Sequence, residues 1–339
     1  MADTPSLTIV IAAYNEQSVL PVMHPRLAGV LDGLGLDCRV LYVDDGSRDD
    51  TWAVLQAIAA GDPRVSLLRL ARNFGKELAL TAGLDQVHTD AAMVLDADGQ
   101  DPPELIPAFV AKWREGYDVV YGTRSRRDGE TWFKKFTAAG FYRVMRWLSQ
   151  TDIPRDTGDF RLMSRRVLDA LRQLRERQRF MKGLFTWVGY RQVSLPYVRE
   201  ARLAGDTKFN YWRLWNLALE GITSFSTVPL RLATYVGVIT ALVAFGWGLW
   251  IIARTVLWGD AVQGWPSLMT VVLFLGGVQL VALGIIGEYL GRLYVESKQR
   301  PLYLVSEAVG LPPLPGTSVG ATSVGGTSVP MPFAQEHRD

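Results

Sequence analysis

The chain has 339 residues, 48% hydrophobic and 21% charged, which excludes wholesale disorder and leaves room for a catalytic domain plus a smaller part. A single cysteine, Cys38, excludes a disulfide-stapled scaffold, and three scattered histidines (His24, His88, His337) offer no zinc site. The net charge of +2 hides an asymmetry: residues 1–123 hold 9 Lys/Arg against 18 Asp/Glu, and residues 124–213 hold 21 against 9. An acidic first part suits a metal, and a basic second part suits phosphate, nucleic acid or a membrane surface.

Met1 to Ser6 has no basic start followed by an apolar run, so no secretory signal is expected. Leu7–Ala12 is a continuous apolar run, as in a strand buried on both faces. A helical stretch follows from Glu16 to about Leu34. Val40–Val43 is a second strand ending at Asp44-Asp45-Gly46-Ser47, and Asp49–Ala60 a helix. Val65–Leu70 is a third strand, with a helix from Glu77 to about Val87. Ala91–Leu95 is a fourth, ending at Asp96-Ala97-Asp98. Pro102 and Pro103 open a helix to about Glu115, and Asp118–Tyr121 is a fifth strand. This alternation predicts an α/β fold, a mostly parallel sheet with helices on both faces. Ligands in such sheets bind at the carboxyl ends of strands, where Tyr14-Asn15-Glu16, Asp44-Asp45 and Asp96-Ala97-Asp98 fall.

Two apolar runs follow the basic block. Leu232–Ala253 and Ala261–Gly287 carry no formal charge, and about 20 apolar residues suffice to cross a bilayer as a helix. Arg231 precedes the first run, Arg292, Lys298 and Arg300 follow the second, and the connection holds Asp260 without Lys or Arg. The positive-inside rule then puts the catalytic part and both termini in the cytoplasm. Trp212, Trp215, Leu219 and Ile222 share one helical stripe, which reads as an interfacial helix. Beyond about Gly310 the chain is a Gly/Ser/Thr/Val/Pro tail with Thr-Ser-Val at 317, 322 and 327, expected to be disordered. The expected organisation is a catalytic domain over 1–208, an interfacial region over 209–229 and two transmembrane helices within 230–288 (about 232–253 and 266–287). A cytoplasmic juxtamembrane segment over 289–309 and a low-complexity tail over 310–339 complete it.

The chemistry narrows by elimination. No G-x-G-x-x-G follows the first strand, and Gly75-Lys76 lacks the upstream glycine of a Walker A loop, where Leu70 stands. Counted from Asp96, Asp101 and Pro107 stand where a calcium loop needs Gly and Glu. A carboxylate pair one residue apart at a strand end remains, suited to Mg²⁺ or Mn²⁺ shared with a diphosphate.

Several stretches together carry a family likeness. They are Ala13-Tyr14-Asn15-Glu16, Val43-Asp44-Asp45-Gly46-Ser47, Arg72-Asn73-Phe74-Gly75-Lys76-Glu77 and Asp96-Ala97-Asp98-Gly99-Gln100-Asp101-Pro102-Pro103-Glu104, with Thr157-Gly158-Asp159-Phe160-Arg161-Leu162-Met163, Arg179-Phe180-Met181-Lys182-Gly183 and Gly287-Glu288-Tyr289-Leu290-Gly291-Arg292 beyond. The chain resembles the polyprenyl-phosphate glycosyltransferases of glycosyltransferase family 2, of the bactoprenol glucosyltransferase type related to dolichol-phosphate mannose synthase. The likeness runs from about Leu7 to Val305, and Gly99 departs from it where Leu is expected. It implies a GT-A fold and an inverting transfer of a hexose, glucose from UDP-glucose first, to undecaprenyl phosphate on the cytoplasmic leaflet. GDP-mannose, UDP-GlcNAc and UDP-galactose stay open as donors.

Carried over by position, Tyr14, Glu16 and Asp45 would hold base and ribose, with Asn15, Asp44 and Lys76 in the same donor-binding group. Asp96 would lie beside ribose and diphosphate. Asp98 and Gln100, with Asp96, would ligate the metal, Mg²⁺ or Mn²⁺. Asp159 matches the proposed catalytic aspartate, and Arg202 and Lys208 a basic pair near the diphosphate and acceptor phosphate. Arg124 is a further acceptor contact, with Arg126, Arg127, Lys134 and Lys135 as surface contacts to headgroups. A flippase and a periplasmic transferase would be partners by analogy, and Gly276-Gly277 and Gly284/Gly287 could pack helices in a homo-oligomer.

A lipid phosphate is largely dianionic at pH 7, with a second pKa near ~6, so it needs no strong base. Asp159 can therefore orient a cation or exclude water as readily as remove a proton. Three other readings compete. A processive polysaccharide synthase would carry Q-x-x-R-W before its spans, and this chain does not. A silent sugar-nucleotide-binding scaffold would not need Asp96, Asp98, Gln100 and Asp159 together. A nucleic-acid-binding membrane protein would have only the basic block to support it.

Overall fold

The computed structural model describes residues 4–124, 157–177, 179, 181–198, 228–258 and 264–312. Expectations at Arg126, Arg127, Lys134, Lys135, Arg202 and Lys208, for the interfacial stripe and for the tail beyond 312 lie outside the described residues.

The five strands expected from apolar runs form as β1 (Ser6–Ala13), β2 (Asp37–Asp44), β3 (Val65–Leu70), β4 (Ala91–Asp96) and β5 (Val119–Arg124). Three more, β6 (Thr157–Ser164), β7 (Gln192–Tyr197) and β8 (Val305–Val309), complete an eight-stranded sheet among the described residues, in the order β7-β5-β6-β4-β1-β2-β3-β8. β4, β1, β2 and β3 run parallel, as does the β5–β7 pair. β6 runs antiparallel to β4 and β5, and β8 antiparallel to β3.

Alternating side chains of the strands feed two cores. On one face Leu7, Ile9, Ile11, Val40 and Tyr42 pack with α1 (Leu20–Asp32), α2 (Thr51–Gly61) and α4 (Ile106–Arg114). On the other, Val10, Leu41, Val43 and Val94 pack with α3 (Lys76–Asp85), α5 (Arg165–Gln173) and α6 (Met181–Trp187). The parallel strands all end at one edge of the sheet. Because β6 is antiparallel, its first residues, Thr157 to Asp159, lie at that same edge. The β4–β6 register pairs Val94 with Arg161, and two steps on it sets Asp96 opposite Asp159.

The two apolar runs form α7 (Val228–Trp258) and α8 (Trp265–Ser297), which pack against each other. At 1.5 Å per residue each is about 50 Å long, more than the ~30 Å hydrocarbon thickness. Leu242, Phe245, Trp250, Leu280 and Leu283 are all more than half exposed. A helix pair that is apolar all round and is left uncovered by the described residues is suited to lipid. α8 runs ten residues past the expected end of its span, through Glu288, Arg292 and Glu296.

After α8 the chain returns to the sheet and adds β8 beside β3, with Arg69 Nη1 3.0 Å from Glu307 Oε1. Tyr303 Oη donates to Asp85 Oδ2 at 2.8 Å, and Arg175 binds the same oxygen at 2.7 Å. The sheet thus takes its last strand from beyond the apolar hairpin.

Candidate active site

The acidic groups meet at the carboxyl ends of β1, β2 and β4, beside the start of β6. The β1 turn is shaped by Asn15, whose φ of 57° puts it in the left-handed region that Asn tolerates. Asn15 Oδ1 accepts Arg48 N–H at 2.9 Å, and its own N–H donates to Ser47 Oγ at 3.0 Å. Asn15 thus holds two strand-end loops together. Tyr14 is 38% exposed and Glu16 half-buried.

The Asp44-Asp45 pair divides its work. Asp44 is fully buried: Oδ1 accepts Ser47 N–H at 3.0 Å and Oδ2 lies 3.2 Å from Arg69 Nε. Asp44, expected among the donor-binding residues, is turned inward and braces the loop. Asp45 Oδ1 accepts Phe74 N–H at 2.7 Å and Oδ2 accepts Gly75 N–H at 2.9 Å. Burial pushes its carboxyl above the ordinary value, and the two amides pull the other way. Both oxygens of Asp45 therefore already grip the β3–α3 loop, whatever else they contact. Gly46 permits that grip. Its φ is +65°, and a Cβ there would lie 2.5 Å from the carbonyl carbon of Arg72.

The gripped loop delivers Lys76, the first residue of α3. Its ammonium lies 2.6 Å from Asp96 Oδ1 and 2.6 Å from Asp159 Oδ2. Burial works against the charge, but Asp96 and Asp159 outweigh it and hold the lysine pKa above its ordinary value. Lys76 was expected with the donor nucleotide, and in this structure it bridges the two carboxylates. Behind them lies Arg161, 4% exposed, whose Nη2 donates to Gly158 C=O at 2.9 Å and whose guanidinium stacks 3.9 Å from the Phe185 ring centre. Burial pulls its pKa down to about 10, while Asp159 acts to raise it. Arg161 had no assigned role in the sequence. The spacing of two between Asp159 and Arg161, which puts both on one face of a strand, is the signal that could have found it.

Asp98 is 9% exposed and its Oδ1 accepts Gln100 N–H at 3.1 Å. Gly99 between them has φ +70°, so the glycine that departs from the family pattern takes a backbone conformation suited to glycine. Asp101 is anchored by Tyr197 Oη at 2.7 Å. Among the described residues no three His, Cys, Asp or Glu side chains gather as a metal cage. Two carboxylates one residue apart would suit a Mg²⁺-type ion whose other ligands were phosphate oxygens. The donor set fits such an ion. Arg124 ends β5 beside Gly158, and its buried Nε has no hydrogen-bond partner among the described residues.

Residues 8–172 match the model of glycosyl transferase family 2, and residues 228–293 that of the GtrB C-terminal hairpin. An uncharacterized glycosyltransferase of Synechocystis is 52% identical over 92% of this chain and 98% of its own length. A prophage bactoprenol glucosyl transferase homolog of Escherichia coli is 45% identical over 88% of this chain and 98% of its own. The bactoprenol glucosyl transferase of Shigella phage SfV is 45% identical over 88% and 97%.

Proposed function

We propose, because the chain belongs to glycosyltransferase family 2 and carries a GtrB-type hairpin, that it transfers one hexose from a nucleotide sugar to polyprenyl phosphate at the cytoplasmic leaflet of the bacterial plasma membrane. Glucose from UDP-glucose and undecaprenyl phosphate are the first choice. One observation carries the reading: relatives named as bactoprenol glucosyl transferases align over both the acidic strand-end site and the hairpin.

The acceptor explains why both parts share a chain. A polyprenyl tail lies in the bilayer, so the site that meets its phosphate must sit at the headgroup plane. The absence of Lys and Arg from 255–266, against Arg292, Lys298 and Arg300 after the second span, supports cytoplasmic ends.

In the reaction an acceptor phosphate oxygen attacks the anomeric carbon while the bond from that carbon to the diphosphate breaks. The nucleoside diphosphate leaves, and the configuration inverts. The dianionic acceptor needs no strong base. The ion pair from Asp159 to Lys76 supports a positioning role, since a carboxylate beside a cation is a weak base. Tyr14 and Glu16 bind the base and ribose, and Asp45 holds the loop that carries Lys76. Asp98 with Asp96 and Gln100 would hold a divalent ion, Mg²⁺ or Mn²⁺, which would supply positive charge beside the diphosphate. Arg124, Arg202 and Lys208 bind the acceptor phosphate and diphosphate.

The test is incubation of purified protein with undecaprenyl phosphate, Mg²⁺ or Mn²⁺ and a panel of UDP- and GDP-sugars, with mass spectrometry of the lipid. A metal-dependent hexosyl-phosphate lipid from one donor supports the reading and names the sugar. No product from any donor, with nucleotide binding intact, refutes it in favour of a silent scaffold.

A further inference from the structure

Lys76 touches Asp96 and Asp159 at 2.6 Å each, so one oxygen of each carboxylate lies within twice that distance of the other. Two carboxylates so close repel each other unless a cation stands between them. The backbone that carries the lysine is fixed. Asp45 holds the amides of Phe74 and Gly75, Gly46 lies against Arg72 and Asn73, and α3 begins at Lys76 itself. The side chain, by contrast, is 45% exposed along its length.

From this geometry we infer that Lys76 is a resident counter-ion. In the donor-free protein its ammonium holds the Asp96 carboxylate that a divalent ion needs, and it gives that carboxylate up only when the ion arrives with a nucleoside diphosphate. The inference rests on the nucleotide-sugar reading above. A divalent ion arriving alone meets a like charge at 2.6 Å from its prospective ligand. A diphosphate brings the negative charge that offsets the ion and offers the ammonium a new partner. Lys76 moves from carboxylate to phosphate, and Asp159, opposite Asp96, guides the exchange from the other side. Metal and nucleotide binding are thereby coupled through one side chain.

The test uses the full chain in detergent and follows Mn²⁺ by electron paramagnetic resonance, alone and with UDP or GDP. The wild type is expected to bind Mn²⁺ weakly alone and more tightly with nucleotide. Lys76→Met is expected to bind Mn²⁺ alone roughly ten-fold or more tightly than the wild type, with most of the nucleotide dependence gone. Lys76→Arg keeps the wild-type pattern. Should Lys76→Met unfold, Lys76→Gln carries the same expectation. A neutral variant that binds Mn²⁺ alone no better than the wild type overturns the inference. No sugar or lipid enters these titrations, so the two proposals fail separately. Turnover with unchanged Mn²⁺ binding removes the counter-ion and keeps the reaction. The shift without turnover from any donor removes the reaction and keeps the counter-ion.

Discussion

Gly46→Ala tests the strand-end architecture with an internal control. Gly35 and Gly46 both take a left-handed φ, +61° and +65°. Around Gly35 no atom lies within 4 Å of a Cβ position, whereas at Gly46 the Arg72 carbonyl carbon lies at 2.5 Å and Asn73 N at 2.8 Å. Gly35→Ala therefore suffers only the left-handed backbone penalty, about 1–2 kcal/mol. Gly46→Ala adds a clash with backbone that cannot rotate away, costing about 1–3 kcal/mol more. Each kcal/mol lowers the melting temperature by about 2–4 °C in a domain of this size. The clash also pushes Arg72 and Asn73 away from Asp45, so the Phe74 and Gly75 amides lose their acceptor. The assay is thermal unfolding of both variants with hydrogen exchange across residues 70–80. Gly46→Ala should melt lower than Gly35→Ala and exchange faster at Phe74 and Gly75. Equal melting temperatures with unchanged exchange would refute the close approach.

Asp159→Asn is expected to lower kcat/KM by about 10²-fold or more, while the residual activity keeps the wild-type pH profile. Loss of one limb of that profile would return Asp159 to proton removal. Acid should destabilise the fold in two stages. His24, 9% exposed between Tyr42 and Asp62, has its pKa lowered by burial, so below the ordinary 6.5 the unfolded chain binds the extra proton and stability falls. Asp62, lowered by Arg64, contributes stability above the ordinary carboxylate value that is lost as pH falls through its folded value. Melts between pH 7.5 and 3 should show both stages in the wild type and lose the first in His24→Gln. Tyr303→Phe removes the bond to Asp85 and should cost about 1 kcal/mol in a denaturation curve, with no change in nucleotide affinity. Leu280→Arg, at an exposed apolar position of α8, should cost about 3 kcal/mol of insertion and raise the fraction extracted by alkaline carbonate.

The parallel half of the sheet was legible because β1 to β4 are apolar runs bounded by turn residues, which only a doubly covered strand needs. β6 was not, since Thr157-Gly158-Asp159-Phe160-Arg161 reads as a polar motif. Its burial depends on the Asp159 ion pair and the Arg161 stack, which are tertiary facts. β7 contains Pro196, tolerated because the strand lies at an edge. β8 is five residues with Glu307 in the middle, and its partner strand ends at Leu70, far back in the sequence. In the candidate site, the acidic residues expected at the strand ends do lie there as a group. Their division of labour was not legible: nothing local shows that Asp44 faces inward, that Asp45 spends both oxygens on amides, or that Lys76 reaches two strands at once.

The late position of β8 also sets the timing of assembly. Val305 leaves the ribosome 235 residues after Leu70, and α7 and α8 are made in between. Domains fold from the N-terminal end during synthesis, so the β3 edge stands open while the hairpin is emerging. Leu67 to Leu70 find their antiparallel partner only once the chain has gone out through both apolar helices and come back. An open edge is a template for pairing with another chain. A nascent protein whose hairpin fails to settle keeps that edge exposed and is marked for aggregation or proteolysis. Completion of the sheet therefore waits on the synthesis of both apolar helices.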